Sequence, residues 1–250
     1  MTEEGSVART CCASERKGAD MPRKATITYR EVTAPITDPV TKFGGQPVWV
    51  SQPCWPLSRR YGTPMQFVCQ IVLSTELFAG LEGQMAYLFM ADDYEPGVAW
   101  TWDPADGENA LIIQPGGRWE GPSVPVVEGL SLYRRTWTDA RWAGTPCEFA
   151  VDLRTGDDPE ARTWDNVDPD DPSAWSAYMA ALFEDKLGGT PVPTVNEPKF
   201  PDAQNWRLLL QLNTKVNDAD DPFFLNFASD GVGYAFLSQD GHQGTFLWSR

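Results

Sequence analysis

The heptapeptide Lys42-Phe43-Gly44-Gly45-Gln46-Pro47-Val48 returns as Lys186-Leu187-Gly188-Gly189-Thr190-Pro191-Val192, with five of seven residues identical at an offset of 144. A repeated unit must find a repeated environment, so this recurrence constrains the fold more than composition does. Two further pairs follow in the same order. Met65-Gln66-Phe67-Val68-Cys69-Gln70-Ile71 matches Trp206-Arg207-Leu208-Leu209-Leu210-Gln211-Leu212 at an offset of 141, and Tyr87-Leu88-Phe89-Met90 matches Tyr234-Ala235-Phe236-Leu237 at an offset of 147. Asp93 and Asp240 each follow six residues after the tyrosine. The units, about 40–95 and 184–242, each read as a Gly-Gly-x-Pro turn, a buried strand ending near a glutamine, and a second strand rich in aromatics.

Glycine supplies positive φ or a close backbone approach, and proline fixes the exit from the turn. A phosphate-cradling loop would lead into a helix. Here an extended, Pro-rich segment follows, so the turn reads as architectural. Short strands are expected at Thr26-Ile27-Thr28-Tyr29, at Val98-Ala99-Trp100-Thr101-Trp102, at Ala110-Leu111-Ile112-Ile113 and at Phe149-Ala150-Val151-Asp152-Leu153; their length and spacing favour antiparallel pairing. One amphipathic helix is expected at about 172–187. Asp171 caps it, Pro172 takes the first helical position, and Trp175, Tyr178, Met179, Leu182 and Phe183 share an apolar face before Gly188. The fold class is α+β, mainly antiparallel β with an internal duplication. Residues 1–20 lack apolar periodicity and read as a disordered extension, with Met21 as an alternative start, ahead of a single domain over 21–250.

The chain carries 35 acidic and 20 basic side chains, a formal net charge of −15 over 250 residues. Such a surface repels a polyanion, so no nucleic acid is expected as partner, and a basic partner is favoured. The single histidine, His242, leaves little imidazole chemistry, and the five cysteines (Cys11, Cys12, Cys54, Cys69 and Cys147) form no CxxC pair. Reduced thiols, no metal and no cofactor follow as expectations. Cys69 reads as a small core residue, while Cys54 and Cys147 fall in Pro-rich loops. No segment approaches the roughly 18 to 20 apolar residues of a membrane span, and no signal-peptide block precedes residue 21. A cytoplasmic protein with no membrane association is expected.

Residues 151–187 hold ten acids and three bases. Within them Asp165-Asn166-Val167-Asp168-Pro169-Asp170-Asp171 lacks the central glycine and distal glutamate of a calcium loop, and reads as a solvated acidic surface. The order of motifs resembles the YwqG-like family of uncharacterised bacterial proteins. The resemblance rests on Lys42 to Pro47, Trp55-Pro56, Pro64-Met65-Gln66-Phe67 with Gln70, Ala86 to Met90, Gly107-Glu108-Asn109-Ala110, Gln114-Pro115-Gly116-Gly117, the second turn, Trp206 to Leu212, and Gly231 to Leu237. It spans roughly 40–250 and departs at Asn226-Phe227-Ala228-Ser229-Asp230-Gly231, where the family pattern Asn-Phe-Gly-Asp-x-Gly places its acid one residue earlier. The resemblance implies a cytoplasmic bacterial protein without established catalytic residues, and an immunity role by analogy with relatives among toxin and immunity genes.

Two functional readings follow. The first is a non-enzymatic binding protein, such as an immunity protein capping a basic toxin. Asp168, Asp170, Asp171 and Asp230 would supply its charge, and Trp206 with Trp49, Trp55, Trp100, Trp102, Trp119, Trp137, Trp142 and Trp164 its aromatic anchors. The alternative is an enzyme or small-ligand binder with a cleft between the repeats, lined by Gln70 and Gln211 and by Asp93 and Asp240. Glutamines that end buried strands also serve simply to satisfy main-chain groups, and His242 is the one candidate general base of imidazole type.

Overall fold

The computed structural model describes residues 21–91, 101–138, 141–162, 171–194, 198–216 and 221–250. The expected extension at 1–20, Asp93, Trp100, Trp164, Asp168 and Asp170 lie outside the described residues. In chain order the elements are β1 (Arg23–Glu31), β2 (Lys42–Gly44), β3 (Trp55–Pro56), β4 (Gln66–Val72), β5 (Met85–Met90), β6 (Asn109–Gln114), β7 (Ser123–Val124), β8 (Tyr133–Thr138), β9 (Arg141–Pro146) and β10 (Glu148–Asp157). After them come α1 (Pro172–Leu182), β11 (Lys186–Gly188), β12 (Trp206–Asn213), β13 (Val232–Ser238) and β14 (Gly244–Ser249).

Among the described residues ten strands pair in the order β14-β13-β12-β11-β1-β10-β2-β4-β5-β6, every ladder antiparallel. The long pair β1 and β10, in register at Ile27↔Leu153, forms the centre, and one four-strand arm extends from each. The end strands β6 and β14 pack on each other, so the sheet curls into a nearly closed barrel. The chain is thus mostly antiparallel β with one helix among the described residues.

Strands β4, β5, β6 and β13 are almost wholly buried because both their faces are covered. Along β5, Ala86, Leu88 and Met90 point to the barrel interior, where they meet Leu209, Leu212 and Phe246 of the other arm. Met85, Tyr87 and Phe89 point outward into a second cluster roofed by Trp49, Trp55 and Trp119. On the other arm Tyr234 and Phe236 face a third cluster, covered by Tyr178 and Leu182 of α1 and by Phe200. The alternation of period two is therefore present, but apolar on both sides.

Two corrections concern the helix and one strand. Asp171 caps α1 as expected, its Oδ1 accepting from Ala174 N at 3.1 Å, but the helix ends at Leu182 rather than near 187. Lys186-Leu187-Gly188 instead forms β11, pairing with β1 at Ala25↔Leu187 and with β12 at Lys186↔Gln211. Two ladders outcompete the continuation of an isolated apolar helix face. Thr101 and Trp102, expected to end a strand, form a turn, and 98–100 lie outside the described residues. No helix of the described residues is long and apolar enough to cross a membrane.

Each Gly-Gly turn encloses a buried lysine. Lys42, 1% exposed, places Nζ 2.5 Å from Glu148 Oε1 and donates to Ile36 O at 3.0 Å. Lys186, 0% exposed, places Nζ 2.5 Å from Asp158 Oδ2, which also accepts from Thr190 N at 2.9 Å. A second cation, Lys24, reaches Asp158 Oδ1 at 2.7 Å in ion-pair contact, off the direction of a hydrogen bond, and also bonds Glu184. Burial pulls Lys186 below the usual lysine range, against the opposing pull of Asp158. Burial also opposes the charge of Lys24, but Asp158 and Glu184 together outweigh it and hold Lys24 above that range.

Removing one member of a buried pair strands the other, at about 3 to 5 kcal/mol. Lys42→Ala should fall in that range by urea unfolding, because Glu148 then has no cation partner among the described residues. Lys186→Ala should cost less, because Lys24 remains against Asp158. Equal losses, or a Lys42→Ala loss within about 0.5 kcal/mol of zero, would contradict this account.

Candidate functional site

The residues singled out by the recurrence are spent on the main chain. Val48 N donates to Gln70 Oε1 at 2.8 Å, Gln70 Nε2 donates to Val40 O at 2.8 Å, and Tyr87 OH donates to Val48 O at 2.8 Å. In the other arm Val192 N donates to Gln211 Oε1 at 2.8 Å, Gln211 Nε2 donates to Leu182 O and Glu184 O, and Tyr234 OH donates to Val192 O at 2.7 Å. Both glutamines are fully buried, with four strands between β4 and β12 in the ladder order. Burial pushes the Tyr87 hydroxyl up to about 12 and raises that of Tyr234 as well. These side chains staple the Pro-rich exits of the two turns to the sheet, and among the described residues Gln70 and Gln211 are each buried against main chain of their own arm.

The other candidates are placed separately. Trp55 is completely buried, its Nε1 donating to Met65 O at 2.8 Å, so it is a core residue and not a surface anchor. Trp49 and Trp119 are half-buried over the same cluster, whereas Trp102 and Trp137 are exposed. Trp206 is half-buried against the α1 cluster. Asp171 caps the helix, and Asp230 lies exposed in the turn before β13. Asp240 Oδ1 accepts from Ser238 Oγ at 2.6 Å and from His242 N at 3.0 Å; the serine hydrogen bond leads in holding this carboxyl below the usual aspartate range. His242 in turn lies across the barrel seam, with Nδ1 3.0 Å from Gly116 O and its own carbonyl accepting from Arg118 N at 2.8 Å.

Burial pushes the Cys147 thiol up to about 12 and raises that of Cys69 further. Neither offers a thiolate near neutral pH. Among the described residues no three His, Cys, Asp or Glu side chains gather in a metal-binding group.

One buried acid has a duty that no motif announced. Glu108 is 0% exposed, accepts from Ser58 Oγ at 2.6 Å and from Arg60 N at 2.9 Å, and so pins the 58–61 turn to the start of β6.

A concavity lies elsewhere, at the seam where the two arms meet. A cleft of about 740 Å³ opens between Trp102, Asp103 and Pro104, which precede β6, and Leu247, Trp248 and Arg250 at the end of β14. Pro198, Lys199 and Ala228 complete its wall. Trp248 is held on two sides, since its Nε1 donates to Thr101 Oγ1 at 2.9 Å and its ring packs on Phe227 with centroids 6.2 Å apart. Ala228 has φ of +65°, the sole positive value for a non-glycine among the described residues. It stands where the family pattern quoted above has glycine. Of these residues the sequence singles out Trp102 as a candidate anchor and Ala228 as part of a departure from the family pattern. The cleft joins three separate stretches of one arm to Trp102, Asp103 and Pro104, which reach it because the sheet curls closed.

No family model, no curated protein and no solved structure matches the chain.

An alanine in the left-handed region costs about 1 to 2 kcal/mol, against which glycine adds up to about 1 kcal/mol of unfolded-state entropy. Ala228→Gly should therefore raise stability by up to about 1 kcal/mol; a loss would show that the methyl group makes contacts worth more than the strain. The seam turn also has a pH signature. Asp240 has a depressed folded-state value, so its contribution is fully present above the ordinary aspartate range and is lost as pH falls through the folded value. Acid unfolding monitored for Asp240→Asn should lose that component of its pH dependence, and an unchanged profile would argue against it.

Proposed function

We propose that the protein is a non-enzymatic binding protein whose partner is a basic protein, in the specific form of a cytoplasmic immunity protein that neutralises a basic toxin. The observation that carries this reading is where the charge resides. The deeply buried lysines Lys42, Lys186 and Lys215, with the less buried Lys24, are bonded to Glu148, Asp158, Asp185 and Glu184, so the ion pairs inside nearly cancel. Among the described residues the exposed acids are therefore left to set the outward field of a chain whose formal net charge is −15, and they raise encounter rates with a cation-rich surface. Residues 151–187 contribute less than their count suggests, because Asp158 is fully buried and Glu184 and Asp185 are held by Lys24 and Lys215. Asp152, Asp157, Glu160 and Asp171 are exposed. The polar residues that would serve catalysis, Gln70, Gln211 and Asp240, each hold main chain or a turn, which favours binding over chemistry.

The proposal extends to kinship and architecture: a YwqG-like protein of bacterial type, built from two copies of one β unit. Its support is local and repeated. The cross-strand row Lys42, Gln70 and Tyr87 has its counterpart in Lys186, Gln211 and Tyr234, and each arm carries a bulge, between Phe67 and Cys69 and between Leu208 and Leu210. A second reading, a small-ligand site between the two arms, is favoured by the seam cleft, though it is lined by Trp102, Trp248, Lys199, Arg250 and Asp103 and not by Gln70, Gln211 or Asp240.

Affinity purification of the tagged chain from its native cells should co-elute a basic protein in stoichiometric amount at low salt and lose it as salt rises. Reversing Asp168, Asp170 and Asp171 to lysine should weaken that complex. An eluate containing the chain alone, or a partner whose retention ignores both salt and charge reversal, would overturn the basic-partner reading.

A further inference from the structure

The seam cleft has a local charge opposite to that of the whole molecule. Lys199 and Arg250 line it, and neither has an ion-pair partner among the described residues. Asp103 is the one acidic side chain in the same lining, and its Oδ1 already accepts from Ala105 N at 2.8 Å. Among the described residues the side chains of this lining sum to two cations against one acid, a local excess of positive charge in a chain with 35 acids and 20 bases, and so an anion-favouring spot against the general field.

The remaining wall is flat and apolar. Trp248 is fixed by Thr101 and Phe227, Trp102 is 47% exposed, and the rigid rings of Pro104 and Pro198 lie beside them. An indole already held in place loses little freedom when a ring packs on it, so contact area converts to affinity with a small entropic loss. The cleft volume, about 740 Å³, lies within the range of small-molecule sites.

We propose that this cleft binds a small planar aromatic anion, its ring against Trp102 and Trp248 and its carboxylate or phosphate against Lys199 and Arg250. The two cations exclude the basic partner from this position, so the cleft is a site separate from the acidic surface and does not depend on it. A left-handed Ala228 in the wall fits this assignment, because backbone strain is tolerated where a binding wall must keep one shape.

Isothermal titration of the full chain tests this with two probes that share the chemistry, indole-3-carboxylate and adenosine 5′-monophosphate, each beside its neutral parent, indole or adenosine, and beside inorganic phosphate. The expected result is saturable one-to-one binding of at least one anionic probe, about tenfold tighter than its neutral parent, with inorganic phosphate alone weaker still. The tighter probe then identifies the source as a carboxylate or a nucleotide. Lys199→Ala and Arg250→Ala should each weaken binding by about three- to tenfold, and so should Trp102→Ala. All three positions are at least partly exposed, and unchanged unfolding midpoints would separate loss of binding from loss of fold. Absence of heat for both anions up to millimolar concentration, equal affinity for charged and neutral forms, or full affinity in the Lys199 and Arg250 variants would each overturn the proposal.

Discussion

A lysine with no exposed surface must bring its counter-charge with it, and that requirement organises both arms of the sheet. Lys42 and Lys186 sit in three-residue strands at the start of the Gly-Gly turns, and the acids that neutralise them, Glu148 and Asp158, bracket β10, one opening it and the other following its last residue. The carboxylates lie so close to the turns that a Cβ on Gly45 would fall 2.3 Å from Glu148 and one on Gly189 would fall 2.2 Å from Asp158. Both glycines also have positive φ, so the second glycine of each turn is required twice over. The ion pair, the turn and the central strand are one mechanical unit in each arm.

From those two anchors the remaining topology follows by satisfaction of main-chain groups. A Pro-rich segment leaving the turn cannot join a ladder along its whole length, and its N–H and C=O groups would be left unpaired against the barrel. Gln70 with Tyr87, and Gln211 with Tyr234, supply those partners from adjacent strands. The stapled segments also lie next to the outward clusters, the Trp-rich roof on one arm and α1 on the other. The strands between can then be apolar on both faces and curl until β6 meets β14. The two ends pack side by side with side-chain and turn contacts at the seam, among them Trp248 to Thr101 and His242 to Gly116.

What could be read from the sequence was what the chain states locally. The positive-φ glycines, the strands at 110–113 and 149–153, and the cap and first turn of α1 all carry their signal within a few residues. What could not be read depended on partners far along the chain. Lys186 and Leu187 read locally as the tail of a helix because the ladders that claim them come from Ala25, Thr26, Leu210 and Gln211. Trp55 looked like a surface anchor because the strands that bury it start at residue 66. Asp158, one of the ten acids within 151–187, carries no local sign that it neutralises a lysine 28 residues away. Asp93, Asp168 and Asp170 lie outside the described residues, so sequence alone speaks for them.

On the two proposals made above, one acidic molecule addresses two ligands of opposite sign through the division of its charge. Ion pairs inside the barrel act at short range in a poorly screened medium, so they hold structure without adding to the outward field. Exposed acids act through water over roughly a Debye length, about 8 Å at physiological salt, which favours steering over tight local binding. A concave site departs from that field where cations outnumber acids in its own lining, since there the nearest charges dominate the distant ones. Lys199 and Arg250 meet that condition at the seam, beside an indole that Thr101 and Phe227 keep in position. The curl that closes the barrel also completes the cleft, because it carries Trp102, Asp103 and Pro104, which precede β6, against β14, while Ala228 before β13 and Pro198 and Lys199 before β12 come from the same arm as β14.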